Sequence, residues 1–250
     1  QMCIRDRPIS ALVDITNFVM YDENRPLHVY DADKIDGKII VRTANDGESF
    51  LALDEKDYQL KNGMFVIAYE KNVLGLGGIL GGESTGCSTE TKNVLLESAL
   101  FDEINTAKTG RNLSILSDAR YRFERGLDLE MVNEGLDYAT NLINEICGGS
   151  VSKKVHAGKL DLNKNSISYK FDTFEKTIGI ELPEKDQIKI LNNLLFETKD
   201  NKDGTCTVTI PSWRNDIKKN IDLIEEIIRI HGYDKIKTNF PPVSYTHLTL

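Results

Sequence analysis

The chain has 250 residues, of which 40% are hydrophobic and 28% are charged, and its formal net charge is -8. This length is enough for one large or two ordinary domains, and the composition is typical of a globular protein. The acidic balance argues against nonspecific coating of nucleic acid, because neutralising phosphates requires a basic surface. No run of residues is long and apolar enough to span a bilayer, so we expect a cytoplasmic protein with no membrane contact.

The first half of the chain predicts a helix, then strands, then more helices. ALVDITNFVMYDEN, starting at Ala11, has apolar residues at helical spacing. Short runs rich in β-branched, leucine and aromatic residues follow between DG, NG and glycine-rich turns, and these predict strands in IIVRTA, SFLALD, MFVIAY and NVLLESA. From Phe101 onward the spacing is helical again. We therefore expect an α+β domain over residues 8–157, with a mixed or antiparallel sheet.

The second half predicts a smaller, helix-rich α+β domain over residues 167–242, after a polar linker at 158–166. Its predicted elements are a strand (ISYKFD), two helices (FEKTIGI and PEKDQIKILNNLL), a strand (CTVTIPSW) and a final acidic helix. The two ends, QMCIRDR at 1–7 and VSYTHLTL at 243–250, resemble translated sequencing-adapter sequence. We expect them to be artefacts and exclude them from fold prediction.

Two features of the first domain point to a site. The glycine-rich stretch LGLGGILGGESTG, residues 74–86, is not followed by a helical pattern and lacks GK[ST], so it does not indicate a phosphate loop. Bare backbone there would let another molecule or another strand approach. Glu97 lies in an apolar strand, where an ionised carboxylate is costly without a partner or a ligand. The alternatives are a ligand contact and a buried ion pair with Arg111, Arg120, Arg122 or Arg125.

The sequence leaves the roles of three other groups of residues open. His28 is predicted to lie in a loop after the first helix, as a structural or a catalytic residue. The arginines of SDARYRFERG, which Ser117 is predicted to cap, could bind phosphates or pair with nearby acids. Near the C-terminus, Asp222, Glu225, Glu226 and Arg229 recur at helical spacing opposite Leu223, Ile224, Ile227, Ile228 and Ile230. This pattern predicts an acidic face, which is either solvated or functional.

Five motifs in this order resemble the bacterial phenylalanyl-tRNA synthetase β subunit over nearly all of residues 8–242. They are PISALVDITNFVMYDENRPLHVYD, LGGILGGESTG, NVLLESALFD, SDARYRFERGLD and PSWRNDIKKNIDLIEEIIRIHGYDKI. The resemblance implies a central fragment with an editing domain followed by a small helix-turn-helix-like domain. The whole enzyme of that family attaches phenylalanine to its tRNA with ATP and magnesium. Its aminoacylation site lies in the α subunit, so the fragment by itself would lack that site and would bind no ATP through its own motifs.

The resemblance implies an editing pocket that hydrolyses tyrosine wrongly attached to tRNA(Phe). In this family Glu97 would accept a hydrogen bond from the tyrosine phenol, and phenylalanine would leave the carboxylate unpaired. The other family positions are catalytic Thr16, Asn17 and His28, and substrate-binding Gly78, Gly81, Ser117 and Ala119. Gly78 and Gly81 would leave room for the aromatic ring. Ser117 departs from the threonine that related sequences often carry.

The resemblance also gives the acidic helix a role. Asp216, Asp222, Glu225 and Glu226 match positions assigned to a magnesium ion shared with the α subunit, although magnesium typically takes one or two carboxylates and keeps several waters. An α-subunit docking surface is the other interpretation. The expected partners are the α subunit, in an α2β2 tetramer, and tRNA(Phe). The alternatives to an editing fragment are a non-enzymatic scaffold for the α subunit and tRNA, and a free-standing trans-editing deacylase.

Overall fold

The structure is a computed structural model that describes residues 10–70, 72–159 and 165–237. It divides into two compact units, unit 1 over residues 1–162 and unit 2 over residues 163–250. This division falls inside the predicted linker. Both adapter-like ends lie outside the described residues. No described helix is long and apolar enough to cross a membrane.

The described part of unit 1 contains four α-helices, whose starts are set mainly by side-chain caps. They are α1 (Ala11–Asp22), α2 (Glu103–Asn112), α3 (Asp118–Phe123) and α4 (Met131–Cys147). Ser10, Asp102 and Ser117 precede the first three, and each side chain accepts a hydrogen bond from the amide three residues on. These caps satisfy amides that would otherwise lack a partner at the helix start. Gly148 follows α4 directly.

Within residues 10–70 and 72–159, the strands of unit 1 form three small sheets. The strands are β1 (His28–Asp31), β2 (Ile39–Thr43), β3 (Ser49–Leu51), β4 (Asp57–Gln59), β5 (Phe65–Tyr69), β6 (Asn72–Leu76), β7 (Leu80–Gly81) and β8 (Val94–Glu97). β1 pairs with β8, β3 pairs with β4, and the third sheet has the order β2-β5-β6-β7. All of these pairings are antiparallel. A short 3-10 helix, Ala32–Lys34, follows β1.

Besides a cluster of Tyr30, Ile67 and Leu74, two apolar clusters hold the described part of unit 1 together. One lies on the four-stranded sheet, around Phe50, Leu60, Val66 and Leu76. The other joins Ile15 and Val19 of α1 to Ala139 of α4, with Leu96 of β8 packed against it. Leu96 therefore faces the helices, and Glu97, the next residue in the strand, faces away from them.

Unit 2 is a three-stranded antiparallel sheet with three helices. Its elements are β9 (Ser166–Lys170), α5 (Asp172–Ile178), α6 (Glu184–Asn193), β10 (Glu197–Asp200), β11 (Thr205–Thr209) and α7 (Asn220–His231), in the sheet order β10-β11-β9. A short 3-10 helix, Tyr233–Lys235, follows α7. The core includes Tyr169, Phe174, Leu191, Val208 and Leu223.

The α+β fold class with antiparallel sheets is confirmed. Sequence patterns missed β10, whose residues ETKD are polar, and they missed β6 and β7 inside the glycine-rich stretch. The approach of another strand explains part of this stretch, because Gly75 lies opposite Gly81. A Cβ at Gly82 would lie 2.7 Å from the Leu74 carbonyl oxygen. The assignment of an editing domain to residues 8–157 and a helix-turn-helix-like domain to 167–242 stays a prediction.

Candidate functional site

The β1–β8 ladder brings two of the predicted site residues together. His28 lies directly opposite Glu97 in the antiparallel register. Directly opposed residues share a face of the ladder, so both side chains project away from the face that carries Leu96. The prediction that His28 lies in a loop was wrong, because it is the first residue of β1. The four-residue strand was missed because its HVYD sequence offers too short an apolar pattern.

Glu97 is partly buried and accepts a hydrogen bond from the hydroxyl of Tyr30, with Oη and Oε2 2.6 Å apart. Burial raises the pKa of Glu97 to about 7, because desolvation disfavours the charged form, while the Tyr30 hydrogen bond acts in the opposite direction. Tyr30 was not among the predicted site residues. The signal that could have found it is alternation along HVYD, since Tyr30 lies two residues after His28 and on the same face.

The His28 ring is held in an apolar position against Tyr30. The two ring centroids are 4.4 Å apart in an edge-to-face arrangement. Desolvation lowers the pKa of His28 to about 4, and its Nε2 is buried without a hydrogen-bond partner in the described residues. His28 is therefore neutral at pH 7. An unpartnered nitrogen beside a carboxylate can hold a water molecule or a polar group of a ligand.

The two candidate glycines have different surroundings. A Cβ on Gly81 would lie 2.7 Å from Nε2 of His28, so glycine at this position makes room for the His28 ring itself. Gly78 has a φ of +70°, and a Cβ there would lie 2.9 Å from the Phe101 ring and 3.0 Å from that of Phe123. Core packing and a left-handed turn thus already require glycine at 78. The substrate-binding role of Gly78 stays a prediction.

Ser117 and Ala119 lie at the start of α3, beside the glycine-rich segment. The Ser117 hydroxyl donates to the carbonyl oxygen of Ile79 at 2.6 Å and accepts from the amide of Arg120 at 3.0 Å. Ser117 is thus the predicted cap, and it also ties α3 to the turn between β6 and β7. Ala119 is partly buried in the first turn. Any contact of these two residues with a substrate stays a prediction.

Thr16 and Asn17 occupy the middle of α1. Thr16 is buried, and its hydroxyl donates to the carbonyl oxygen of Val13 in the same helix at 2.9 Å. Asn17 is partly buried. α1 packs against Leu96, on the face of β8 opposite Glu97. The described hydrogen bonds do not join either residue to Glu97 or His28.

Three of the four arginines considered as ion-pair partners of Glu97 pair with other acids. Arg120 pairs with Glu124 and donates to the Ile115 carbonyl oxygen, and Arg125 pairs with Glu124 and lies over the Tyr121 ring. Arg122 pairs with Asp118, and Arg111 is exposed. Glu97 is instead partnered by a phenol. The alternative that these arginines pair with nearby acids is the one observed.

In unit 2 the four predicted magnesium ligands do not converge. Asp216 accepts two hydrogen bonds from Arg214, at 2.9 and 2.7 Å, and Glu226 accepts from both Arg214 and Arg229, at 3.1 and 2.6 Å. One oxygen of Asp222 accepts from the amides of Lys218 and Lys219, and Glu225 is exposed.

Within residues 10–70, 72–159 and 165–237, no group of three or more His, Cys, Asp or Glu side chains is placed to hold a metal ion. As arranged here the acids of unit 2 do not fit a magnesium site, because Asp216 and Glu226 are paired with guanidinium groups and Asp222 is hydrogen-bonded to backbone amides. The two faces of α7 also differ from the prediction. Glu226, predicted on the acidic face, is buried, and Ile230, predicted on the apolar face, is 47% exposed.

Comparisons with known proteins match both units. A family model described as B3/4 domain matches residues 2–148, and one described as tRNA synthetase B5 domain matches residues 167–233. The chain is 48% identical over 230 residues to the phenylalanine–tRNA ligase β subunit of Bradyrhizobium diazoefficiens, and 45% identical to that of Mesorhizobium japonicum. The chain belongs to the B3/4 domain family, in the form found in phenylalanine–tRNA ligase β subunits.

The matched regions cover 92% of this chain but 29% of each of these two relatives. The chain therefore spans less than a third of the length of the β subunits it matches. Among solved structures, an N-terminal fragment of the phenylalanyl-tRNA synthetase β subunit from Pyrococcus horikoshii covers 89% of this chain and 65% of its own, with 20% identity and a TM-score of 0.44.

Glu226→Gln is expected to destabilise the B5 domain by about 2 kcal/mol at neutral pH, because it leaves two guanidinium groups short of a buried counter-charge. Burial alone would raise the pKa of Glu226, but hydrogen bonds from Arg214 and Arg229 outweigh it and hold the pKa below its usual value. Its stabilisation is therefore present above the unfolded-state pKa and is lost as the pH falls through the lower folded-state value. Urea unfolding followed by fluorescence of Trp213, the one tryptophan of the chain, measures this unit.

The matched control is Glu225→Gln, an exposed carboxylate on the same helix, which is expected to change the free energy of unfolding by less than about 0.5 kcal/mol. The difference between the two variants should shrink as the pH falls through the lowered folded-state pKa of Glu226, because protonation removes the charge of that side chain in the unmodified chain. Equal effects of the two substitutions at neutral pH would contradict the burial and pairing of Glu226.

Proposed function

We propose that the B3/4 domain hydrolyses tyrosine that has been wrongly attached to tRNA(Phe), as part of a phenylalanine–tRNA ligase β subunit. The observation that carries the proposal is the partly buried Glu97 carboxylate, which belongs to the residue directly opposite the neutral His28 in the β1–β8 ladder and already accepts a phenol hydrogen bond at 2.6 Å. Tyrosine differs from phenylalanine only by a phenol hydroxyl. A site that offers a buried acceptor to that hydroxyl therefore separates the two amino acids.

The energetics favour this direction of selection. A pocket shaped for phenylalanine rejects an added hydroxyl only weakly, whereas a site built to hydrogen-bond a hydroxyl rejects the analogue lacking it strongly. Phenylalanine in this site would leave the Glu97 carboxylate desolvated and unpaired, at a cost of about 1–3 kcal/mol or more for a charged group. A second, hydrolytic site with the opposite preference thus removes the error that the first site cannot avoid.

The hydrolytic step in this proposal is attack by a water molecule on the ester carbon that joins tyrosine to the tRNA. His28 supports this step as the holder of the water, because its buried Nε2 has no protein partner in the described residues. The tRNA's own terminal hydroxyl is the second group that can assist. Glu97 binds the phenol end, so the selecting and the reacting groups are separate.

For the whole protein we propose the role of the matched relatives, with the α subunit and tRNA(Phe) as partners in the cytoplasm. ATP-dependent attachment of phenylalanine would then belong to the complete α/β enzyme. A second candidate, a scaffold that holds the α subunit, is favoured by the exposed apolar side chains of unit 2, which include Trp213, Ile221, Ile230 and Tyr233. Apolar side chains left exposed in this way are common at protein contacts.

Deacylation by the purified chain tests the proposal. Tyrosyl-tRNA(Phe) is expected to be hydrolysed faster than phenylalanyl-tRNA(Phe), by roughly a hundredfold or more, and free tyrosine is expected to shift the NMR signals of Glu97, His28 and Gly81 where phenylalanine does not. Glu97→Gln should lose most of this discrimination. Glu90→Gln, an exposed carboxylate in the same unit, is the matched control and should keep it. A folded chain that neither hydrolyses nor binds tyrosine selectively would leave the scaffold role.

A further inference from the structure

Tyr30 connects the candidate site to the core of unit 1. Its side chain is 1% exposed and packs with Ile67 of β5 and Leu74 of β6. A Cβ on Gly75 would lie 3.9 Å from its hydroxyl oxygen, and the His28 ring meets the Tyr30 ring edge-to-face at 4.4 Å. The phenol is therefore held by two sheets and a neighbouring ring, and its hydroxyl ends at the Glu97 carboxylate.

The Tyr30 contact has the same chemistry as the contact proposed for the substrate. In both, a phenol hydroxyl donates to a Glu97 oxygen. Tyr30 engages Oε2, and a carboxylate has further lone pairs on its other oxygen. A carboxylate fixed through one oxygen presents the second in a defined direction, whereas an unanchored one would rotate about its terminal torsion, which is soft.

We propose that Tyr30 is a positioning residue for tyrosine selection, whose hydroxyl holds Oε2 of Glu97 so that Oε1 accepts the phenol of the misattached tyrosine. This inference rests on the proposed function and deepens it. Tyr30 does not touch the reacting ester in this proposal. It acts through Glu97, by fixing the direction of the acceptor and by favouring the ionised form that accepts most strongly.

The charge state of Glu97 gives the positioning role a pH signature. Burial raises the pKa of Glu97 to about 7, and the Tyr30 hydrogen bond keeps the pKa from rising further. Without that hydroxyl a larger fraction of Glu97 would be protonated at pH 7, and a protonated carboxyl is a weaker acceptor. Raising the pH should then restore an ionised acceptor even in the variant.

The other titratable groups near Glu97 lie on the elements that pack against β8. His28 lies directly opposite Glu97, but its pKa of about 4 keeps it neutral over the range in which Glu97 titrates. The remaining titratable or charged groups on α1, β1, the following 3-10 helix and α4 are Asp14, Tyr21, Asp22, Asp31, Asp33, Lys34, Glu134, Asp137, Tyr138, Glu145 and Cys147. α4 meets the opposite face of the strand, where Ser98 donates to the Val132 carbonyl oxygen.

The experiment compares Tyr30→Phe, which removes only the hydroxyl, with Tyr58→Phe as a matched control. Tyr58, in β4, also donates its phenol to a carboxylate, that of Asp54 at 2.7 Å, but this hydrogen bond is exposed to solvent. The Glu97 titration is followed by carbon-13 NMR of its carboxyl group, and the affinities for free tyrosine and phenylalanine are measured at about pH 7 and about pH 9.

Tyr30→Phe is expected to raise the Glu97 titration midpoint by about one pH unit and to weaken tyrosine binding at neutral pH by roughly fivefold or more. Phenylalanine affinity should stay unchanged, and tyrosine affinity should largely recover at the higher pH. Tyr58→Phe should change none of these values. An unchanged Glu97 midpoint in Tyr30→Phe would overturn the inference, and so would a loss of tyrosine affinity that is equal at both pH values.

The outcomes for this inference and for the proposed function are distinguishable. The Glu97 titration needs no substrate and tests only the contact between Tyr30 and Glu97. Selective binding of tyrosine by the unmodified chain tests only the proposed function. An unmodified chain without tyrosine selectivity overturns the proposed function and the phenol-accepting part of the inference, whereas selectivity with an unshifted Glu97 midpoint in Tyr30→Phe overturns the positioning role only.

Discussion

Replacing Arg25 with methionine is expected to lower the free energy of unfolding of unit 1 by about 3 kcal/mol, one of the two largest effects on this chain. Arg25 is fully buried, and its guanidinium donates to the carbonyl oxygen of Ala99 at 3.0 Å and to that of Asp128. One side chain thus joins the end of α1, the segment after β8 and the approach to α4. Methionine keeps the length of the chain but leaves both carbonyl groups without their donor.

The balance of forces at Arg25 explains why the loss should be large but bounded. Desolvation lowers the pKa of Arg25 to about 10, and the nearby Asp128 carboxylate acts in the opposite direction. Removing the charge recovers part of this desolvation cost. Methionine also keeps the contact of the aliphatic part of the side chain with Gly135, where a Cβ would lie 2.6 Å from Cγ of Arg25.

The measurement is urea unfolding followed through backbone NMR signals of unit 1, because the chain has two units and a single optical signal would mix them. Arg111→Met is the matched control, since Arg111 is exposed on the last turn of α2, and its effect should stay within about 0.5 kcal/mol. A loss at Arg25 no larger than that at Arg111 would contradict the bridging role.

The second large effect is the pH dependence of stability that Glu97 imposes. Burial raises the pKa of this carboxyl from 4.5 to about 7. The folded state therefore binds more protons than the unfolded state between these values, and the contribution of Glu97 to the free energy of unfolding falls as the pH rises through this range. A shift of this size corresponds to at most roughly 3 kcal/mol. Glu97→Gln, which carries no charge, should remove the dependence.

The measurement compares unfolding of unit 1 in the unmodified chain and in Glu97→Gln at about pH 5 and about pH 8. The variant should gain stability relative to the unmodified chain as the pH rises, because only the unmodified chain has to bury a carboxylate. Glu90→Gln is the control for a general charge effect and should show no such change. A constant difference between Glu97→Gln and the unmodified chain would show that Glu97 is solvated in the folded state.

The family of this chain and its two-unit organisation were open to prediction from the sequence. The motifs that carry the resemblance are long and ordered, and the helices in residues 8–157 follow apolar periodicity with polar caps such as Ser117. The sequence also singled out Glu97, because an acidic residue within an apolar strand is costly unless it has a partner. Such features depend on residues that are close together along the chain, so they can be recognised from the sequence alone.

The identity of each partner was decided by the tertiary structure. The sequence offered four arginines for Glu97, and the fold supplied Tyr30, 67 residues away along the chain, through the β1–β8 register. In α7 the spacing placed Glu226 on an exposed acidic face, but packing buried it against Arg214 and Arg229. Local spacing fixes which residues share a face, whereas long-range packing decides which face is buried and which opposite charge or hydroxyl meets it.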